Sequence, residues 1–104
     1  MNREEILKTA EDFVKKTRDQ EYGDPRVNFN LVARFWTLYI FEQHRKTDFK
    51  EPYFLTTQDV AAMMILLKVA RIATGSAKAD NWIDIAGYAA CGGEVEATEN
   101  NATN

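Results

Sequence analysis

Apolar residues recur at steps of three and four along most of this chain, a periodicity typical of helices that bury one face. The first such segment runs from about Arg3 to Gln20. It is followed by Tyr22-Gly23-Asp24-Pro25, in which Asp24-Pro25 favours a turn or the start of a helix. The second segment runs from about Asn28 to Arg45 and is rich in aromatic residues, which predicts burial on more than one side.

The third predicted helix is apolar around nearly its whole circumference. Thr56 or Thr57 is its expected N-cap, and between residues 60 and 73 the charged side chains are those of Lys68 and Arg71. Such a helix cannot leave one face to solvent in a four-helix monomer, so either the other helices or a second chain must surround it. We therefore expect a homodimer or a higher homo-oligomer built on the second and third helices.

The last predicted helix is short. Asp80 is its expected N-cap, it runs to about Cys91, and Gly92-Gly93 is expected to end it. Residues 93–104 are polar and predict a disordered tail. The sequence thus predicts an all-α fold: one compact four-helix domain over residues 1–92.

Composition and charge narrow the possible functions. The chain has 104 residues, of which 45% are hydrophobic and 28% charged, and a formal net charge of −3, which disfavours general nucleic-acid binding. Cys91 and His44 are the single cysteine and histidine, so one chain offers no disulfide, thiolate cluster or multi-histidine metal site. No apolar signal segment or membrane-spanning run is visible, and we expect a cytoplasmic protein.

Charged residues cluster around the predicted turn between the last two helices. Lys68 and Arg71 share one face of the third helix, and Asp80 and Asp84 share one face of the fourth. A short turn between antiparallel helices would bring these faces together, and Gly87 would allow the helices to approach closely.

Two interpretations of this cluster remain open. In the first, Lys68 and Arg71 contact phosphate oxygens while Asn81 and Tyr88 bind a sugar or base and Tyr22 covers the pocket. In the second, Arg71 pairs with Asp84, Lys68 pairs with Asp80 or extends to water, and nothing binds. The candidate ligand-binding residues are Tyr22, Lys68, Arg71, Asp80, Asn81, Asp84 and Tyr88.

An ordered series of short motifs resembles a phage and prophage family known only as a domain of unknown function. The resemblance covers about residues 3 to 92 and implies a viral origin but no activity. The motifs are Tyr22-Gly23-Asp24, Asn28-Phe29, Ala33, Trp36, Asp59-Val60-Ala61, Lys68-Val69-Ala70-Arg71 and the run from Asp80 to Ala89, DNWIDIAGYA.

The last two helices also resemble, more distantly, the MazG-type all-α nucleoside triphosphate pyrophosphohydrolases. That family holds Mg²⁺ with Glu-Glu-x-x-Glu on one helix and Glu-x-x-Asp on the next. Here Lys68-x-x-Arg71 stands in place of the first motif and Asn81-x-x-Asp84 in place of the second. The resemblance implies binding of a nucleotide without hydrolysis, because a cation can hold phosphate but cannot make a metal-bound hydroxide.

Three hypotheses follow. The first is a metal-independent binder of a phosphate-bearing nucleotide, which a phage could use to capture a nucleotide immune signal or to assist nucleotide metabolism. The second is a Mg²⁺-dependent hydrolase, which requires Asp59, Asp80 and Asp84, with Glu42 as a further candidate, to converge within one chain or across a dimer. The third is a non-catalytic module whose aromatic second helix and the loop after it bind a host or phage protein.

Overall fold

A computed structural model describes residues 1–15, 24–75 and 78–103, with side chains described as far as residue 99. These residues form four helices and contain no strand, which confirms the predicted all-α class. Within them, no helix is long and apolar enough to cross a membrane. The helices are α1 (Arg3–Phe13), α2 (Pro25–Arg45), α3 (Thr57–Thr74) and α4 (Ala79–Thr103).

Side-chain caps explain where α2 and α3 begin. The Asp24 carboxylate accepts a hydrogen bond from the Arg26 amide at 2.9 Å, and Pro25 occupies the first helical position, where a missing N–H costs nothing. Thr56 caps α3, and Asp59 completes a reciprocal capping box by accepting from the Thr56 amide at 2.9 Å. The predicted starts of both helices are confirmed to within three residues.

Helix α4 differs from the prediction at both ends. It begins at Ala79, so Asp80 lies in the first turn and is not the N-cap. It continues through Gly92-Gly93 to Thr103, so the predicted end is wrong and the residues expected to form an irregular tail are helical as far as Thr103. Glycine weakens a helix by only about 1 kcal/mol per residue relative to alanine, and contacts with a neighbouring helix can offset that cost.

Helix α2 packs antiparallel on α3. Residues near the start of α2 contact the end of α3, and residues near the end of α2 contact its start. The side-chain hydrogen bonds that join them include Asn28 to Thr74 at 2.9 Å, Trp36 to the Met63 carbonyl at 2.7 Å and Tyr39 to Asp59 at 2.7 Å. The Trp36 indole therefore helps to hold α2 on α3.

Helix α4 packs antiparallel on the opposite side of α3. Lys68 pairs with Asp84 near the shared turn, and Gly92 lies against Ala61 further along, where a Cβ on Gly92 would lie 2.9 Å from the Ala61 Cβ. The predicted close approach of these helices exists, but it occurs at Gly92. A Cβ on Gly87 would meet nothing within 4 Å.

The hydrophobic core of a single chain is small. Among the described residues, the buried apolar side chains are Val32, Met63 and Ala70. Helix α1 contains no buried residue. The radius of gyration is 16.9 Å, whereas a compact chain of this length would have about 13 Å. The chain is thus less compact than predicted.

Candidate functional site

Polar side chains lie at the end of the molecule where α2 begins, α3 ends and α4 begins, on the α2 side of α3 as well as on its α4 side. We call this set the polar junction. We define it by the side chains of Asn28, Lys68, Arg71, Thr74, Asn81 and Asp84. The antiparallel order of the three helices brings these residues to one end of the molecule although they come from positions 28 to 84 of the chain. Two of them, Asn28 and Asn81, are each only 4% exposed. Polar side chains are therefore buried at this end of the molecule, where they need hydrogen-bond partners.

The Lys68 ammonium is the best-defined charge of the junction. Its Nζ lies 2.8 Å from Oδ2 of Asp84, and the side chains are 12% and 44% exposed, respectively. In the interpretation without a ligand, Lys68 was predicted to pair with Asp80 or to extend to water, and Asp84 was the predicted partner of Arg71, so the observed pair differs from that interpretation. In the antiparallel register of α3 and α4, Asp84 comes level with Lys68, whereas Asp80 lies a turn earlier and is exposed. The Asp84 side of the pair is therefore accessible to solvent, whereas the Lys68 side chain is largely buried.

The remaining predicted residues have different surroundings. Arg71 is half-buried one turn beyond Lys68 on the same face of α3. Asn81 is buried in the first turn of α4, and Tyr88 is half-buried further along that helix. Tyr22 lies outside the described residues. The structure thus unites Lys68 with Asp84 and leaves Asp80 at the edge of the junction.

Tyr88 lines a shallow groove between α3 and α4. The groove encloses about 170 Å³, and small residues form much of its wall, among them Ala61 and Gly92. It lies alongside Ile65, three residues before Lys68 on α3. Ligand pockets that enclose a whole drug-sized molecule usually measure 300–1,000 Å³, so this groove can cover only part of a nucleotide.

The contribution of α2 to the junction was absent from the predicted site. The amide of Asn28 donates to the Thr74 hydroxyl at 2.9 Å, and that hydroxyl donates in turn to the Ala70 carbonyl at 2.8 Å. A signal exists in the sequence, because Asn28, Val32 and Trp36 follow four-residue steps and so share the buried face of α2. A polar residue on a buried face requires a partner in a neighbouring element.

A second polar cluster lies at the opposite end of α3. Asp59 is 1% exposed, and its two carboxylate oxygens accept hydrogen bonds from side chains of α2 and of the loop before α3. The Tyr39 hydroxyl donates to Oδ1 at 2.7 Å, the Gln43 amide donates to the same oxygen at 2.9 Å, and the Tyr53 hydroxyl donates to Oδ2. We call Tyr39, Gln43, Tyr53 and Asp59 the aspartate cluster. The sequence predicted none of these contacts, and Asp59 was a candidate site residue only as a metal ligand of the hydrolase hypothesis.

Hydrogen bonding keeps Asp59 ionised despite its burial. Burial alone would raise its pKa, but the Thr56 amide and the Tyr53, Tyr39 and Gln43 donors outweigh it, so that the pKa of Asp59 falls below its usual range. Burial, reinforced by the bond to Asp59, raises the pKa of Tyr39 and of Tyr53 to about 12. The cluster is therefore a satisfied anion held by neutral donors, which indicates a structural role.

The carboxylates named for a magnesium site do not come together. Asp59 precedes Lys68 by nine residues, which places it about 13 Å along α3 from the junction that holds Asp84. Glu42 pairs with Arg45 on the surface of α2. Within the part of the chain that the structure describes, no three His, Cys, Asp or Glu side chains are grouped closely enough to hold a metal ion.

Comparison with known proteins places the chain among phage proteins. It is 40% identical over 84 residues to the Gene 55 protein of Mycobacterium phage L5, covering 81% of this chain and 47% of the relative. It is 33% identical over 88 residues to the Gene 55 protein of Mycobacterium phage D29, covering 85% of this chain and 51% of the relative. The chain thus spans about half the length of these curated relatives.

No solved structure matches the chain. Residues 5–96 match one family along their whole length, and that family has no assigned activity. This match and the phage relatives confirm the resemblance to an uncharacterised phage family that the motifs indicated. The chain therefore belongs to the family described as a domain of unknown function, DUF6378.

Proposed function

We propose that the chain binds a phosphate-bearing nucleotide at the polar junction and does not hydrolyse it. The observation that supports this proposal is the position of Lys68, a cation only 12% exposed whose carboxylate partner remains 44% exposed. Removing an ammonium from water is costly unless a strong partner replaces its hydration, and a half-exposed carboxylate replaces only part of it. An arriving phosphate would supply the rest.

The chemistry of the two cations suits phosphate. An ammonium has three N–H donors, so Lys68 can keep its contact with Asp84 and still donate to a phosphate oxygen. Arg71 lies one turn further along the same face of α3, and a guanidinium is suited to bidentate contacts with phosphate. In this account Asp84 orients Lys68, and the two cations bind the phosphate.

The groove beside the junction suits the remainder of such a ligand. Tyr88 lines the groove one turn along α4 from Asp84. Asn81 lies one turn before Asp84, at the start of the helix, where its side chain is buried. A base can stack on an aromatic ring, and an amide can donate to and accept from a sugar or base. The phosphate would lie at Lys68 and the base along the groove. Asp80 stands at the exposed rim, where it could contact a sugar hydroxyl.

Binding without hydrolysis follows from the placement of the carboxylates. Hydrolases of the MazG type need several acids at one point to hold Mg²⁺, whereas here Asp59 serves the aspartate cluster and Lys68-x-x-Arg71 occupies the place of the first acidic motif. The distant likeness to those enzymes is part of this proposal. A protein that holds a nucleotide without consuming it can sequester it, and sequestering a nucleotide signal of host immunity would be of use to a phage.

A thermal-shift screen tests the proposal. The protein is melted with ATP, GTP, cAMP and cGMP, each in Mg²⁺ and in EDTA. A ligand at 100 times its Kd stabilises the folded state by about 2.7 kcal/mol, which for a domain of this size raises Tm by roughly 10 °C. We expect at least one nucleotide to raise Tm equally with Mg²⁺ and with EDTA.

The two metal conditions separate the competing hypotheses. A shift that requires Mg²⁺ would favour the hydrolase and would call for analysis of the reaction products. The absence of a shift with every nucleotide, in both buffers, would contradict nucleotide binding. Inorganic phosphate serves as the control for a site that recognises only the anion.

A further inference from the structure

Helix α2 has an outward stripe that α3 does not cover. Six positions follow steps of 4, 3, 4, 3 and 4, which is the spacing of a coiled-coil seam. The face that contacts α3 is a different one, because it contains Asn28, Val32 and Trp36. We call the six outward residues the α2 seam: Val27, Leu31, Arg34, Leu38, Phe41 and Arg45.

The apolar members of the seam are unusually exposed. Val27 is 55% exposed, Leu38 62% and Phe41 49%, while Leu31 is half-buried. Leu38 and Phe41 also line a groove with Arg34 on this side of the helix. Isolated exposed apolar residues are ordinary, but four apolar residues aligned with two arginines along one face of a helix are typical of an interaction surface.

The surface area of the whole chain indicates how large the missing contact is. The chain exposes 7884 Å², whereas a folded monomer of 11.9 kDa exposes about 6000 Å². This excess includes the surface of α1, which contains no buried residue, and it is larger than the roughly 1,000 Å² that each subunit hides in a homodimer interface of about 2,000 Å². The small core points the same way, since obligate dimers complete their cores across the interface.

We infer that the α2 seam binds the α2 seam of a second copy of this chain, in antiparallel orientation about a two-fold axis. The spacing 4-3-4-3-4 is symmetric, so reversal maps every seam position onto another one. Leu31 then faces Phe41, and Arg34 faces Leu38, on which its methylene stem can pack while the guanidinium reaches water.

Charge favours this orientation over the parallel one. A parallel pair would place Arg34 opposite Arg34 and Arg45 opposite Arg45, and like charges held together in a seam destabilise it. In the antiparallel pair each arginine faces an apolar residue of the other chain. Arg45 is in addition paired with Glu42 of its own chain.

This interface is independent of the proposed nucleotide site. The seam lies on a face of α2 different from the one that contacts α3, whereas the polar junction lies at the end of the molecule where α2 begins and where Lys68 of α3 pairs with Asp84 of α4. Substitutions of seam residues therefore leave Lys68, Asp84 and Asn81 in place, and a failure of nucleotide binding would say nothing about the dimer.

Sedimentation of the full chain tests the inference, with Leu38→Glu as the seam variant. Phe54→Glu is the matched control, because Phe54 is 80% exposed in the loop before α3 and lies outside the seam. We expect wild type and Phe54→Glu to be dimers at micromolar concentration. In Leu38→Glu the dimer should be weakened by at least about 30-fold, as for a residue at the centre of an interface. Circular dichroism checks that each variant remains helical.

Two results would overturn the inference. One is a wild-type chain that stays monomeric at every concentration, which would mean that α1 or a different protein covers the seam. The other is a Leu38→Glu variant as dimeric as Phe54→Glu. Disulfide trapping in a Cys91→Ser background tests the orientation: Arg34→Cys should cross-link with Leu38→Cys of the other chain, and a cross-link only between two Leu38→Cys chains would contradict the antiparallel pair.

Discussion

At the scale of single residues, the Asp59 carboxylate joins α2, the loop before α3 and the start of α3 through hydrogen bonds. It is buried to 1% exposure and ionised, and every contact described for it comes from a neutral donor on α2, on the preceding loop or at the start of α3. A buried charge that loses its partners is far more costly than one that keeps them. The same holds for buried donors that lose their acceptor.

Replacing Asp59 by alanine should therefore lower the free energy of unfolding by about 3–5 kcal/mol, because Tyr39, Gln43, Tyr53 and the Thr56 amide lose one shared acceptor. Urea denaturation measures the change. If Asp59→Ala does not fold, Tyr53→Phe removes a single hydrogen bond to the carboxylate and should cost about 1.5–3 kcal/mol.

Asp12→Ala, on the exposed face of α1, is the control and should change stability by less than about 0.5 kcal/mol. Equal losses for Asp12→Ala and Tyr53→Phe would contradict a special role for the aspartate cluster.

Stability should also fall at both extremes of pH. The pKa of Asp59 is lower in the folded chain than in the unfolded one, so its contribution is complete above pH of about 4 and is lost as the pH falls further. The raised pKa values of Tyr39 and Tyr53 work in the opposite direction. Their contribution is complete below pH of about 10 and is lost as the pH rises towards 12.

Urea denaturation across the pH range measures the loss of stability at acid pH and the loss at alkaline pH. Tyr53→Phe should show a smaller loss of stability between neutral and alkaline pH than wild type, because one of the two perturbed hydroxyls is gone. An equal loss of stability at alkaline pH in the two proteins would contradict a contribution from the Tyr53 hydroxyl.

Sequence reasoning identified individual polar residues better than their partners. Lys68 and Asp84 as site residues, and a helix cap at Thr56 or Thr57, were predicted from residue type and local spacing. Tyr39 and Tyr53 were not connected with Asp59, because those contacts depend on how α2 and the loop lie on α3. No local pattern contains that information.

At the scale of helices, the contact between α3 and α4 depends on one glycine. Gly92 faces Ala61 so closely that an added Cβ would lie 2.9 Å from the Ala61 Cβ, while the neighbouring Gly93 has open space at the same position. The two glycines thus have the same helix propensity and different surroundings. This explains why the Gly-Gly pair does not end α4 as its sequence suggested, since the loss of propensity is offset by close packing.

Alanine substitutions at Gly92 and Gly93 should change the free energy of unfolding in opposite directions. Gly93→Ala should stabilise the chain by about 0.5–1 kcal/mol, because alanine favours the helix and meets nothing. Gly92→Ala should destabilise it by about 1–3 kcal/mol, because the two helices must move apart.

Thermal or urea denaturation of both variants measures the difference, and Gly87→Ala serves as a second control in open space. A Gly92→Ala variant as stable as Gly93→Ala would show that the helices do not approach closely at Ala61.

At the scale of the whole molecule, the helical class and the pairing of the last two helices could be predicted from the sequence, whereas the shape of the chain could not. Periodicity shows which face of a helix is apolar but does not say which neighbour covers it. The α2 seam is the clearest example, because its apolar positions contributed to the prediction of a buried helix and yet lie exposed in a single chain. Its partner has to come from elsewhere, and we infer a second copy.

The polar junction is the central claim for function, and its decisive test is direct binding in EDTA by wild type, Lys68→Met and Lys8→Met, with the nucleotide found in the thermal-shift screen. Lys68→Met keeps the length of the side chain and removes the charge at the junction, while Lys8 lies on exposed α1. Hydrogen bonds to charged groups contribute about 1.5–3 kcal/mol, so Lys68→Met should weaken binding by roughly 10- to 150-fold and Lys8→Met should not. Chromatography should recover the nucleotide intact. Equal affinity of wild type and Lys68→Met, or conversion of the nucleotide to products, would contradict a metal-independent binding site at Lys68.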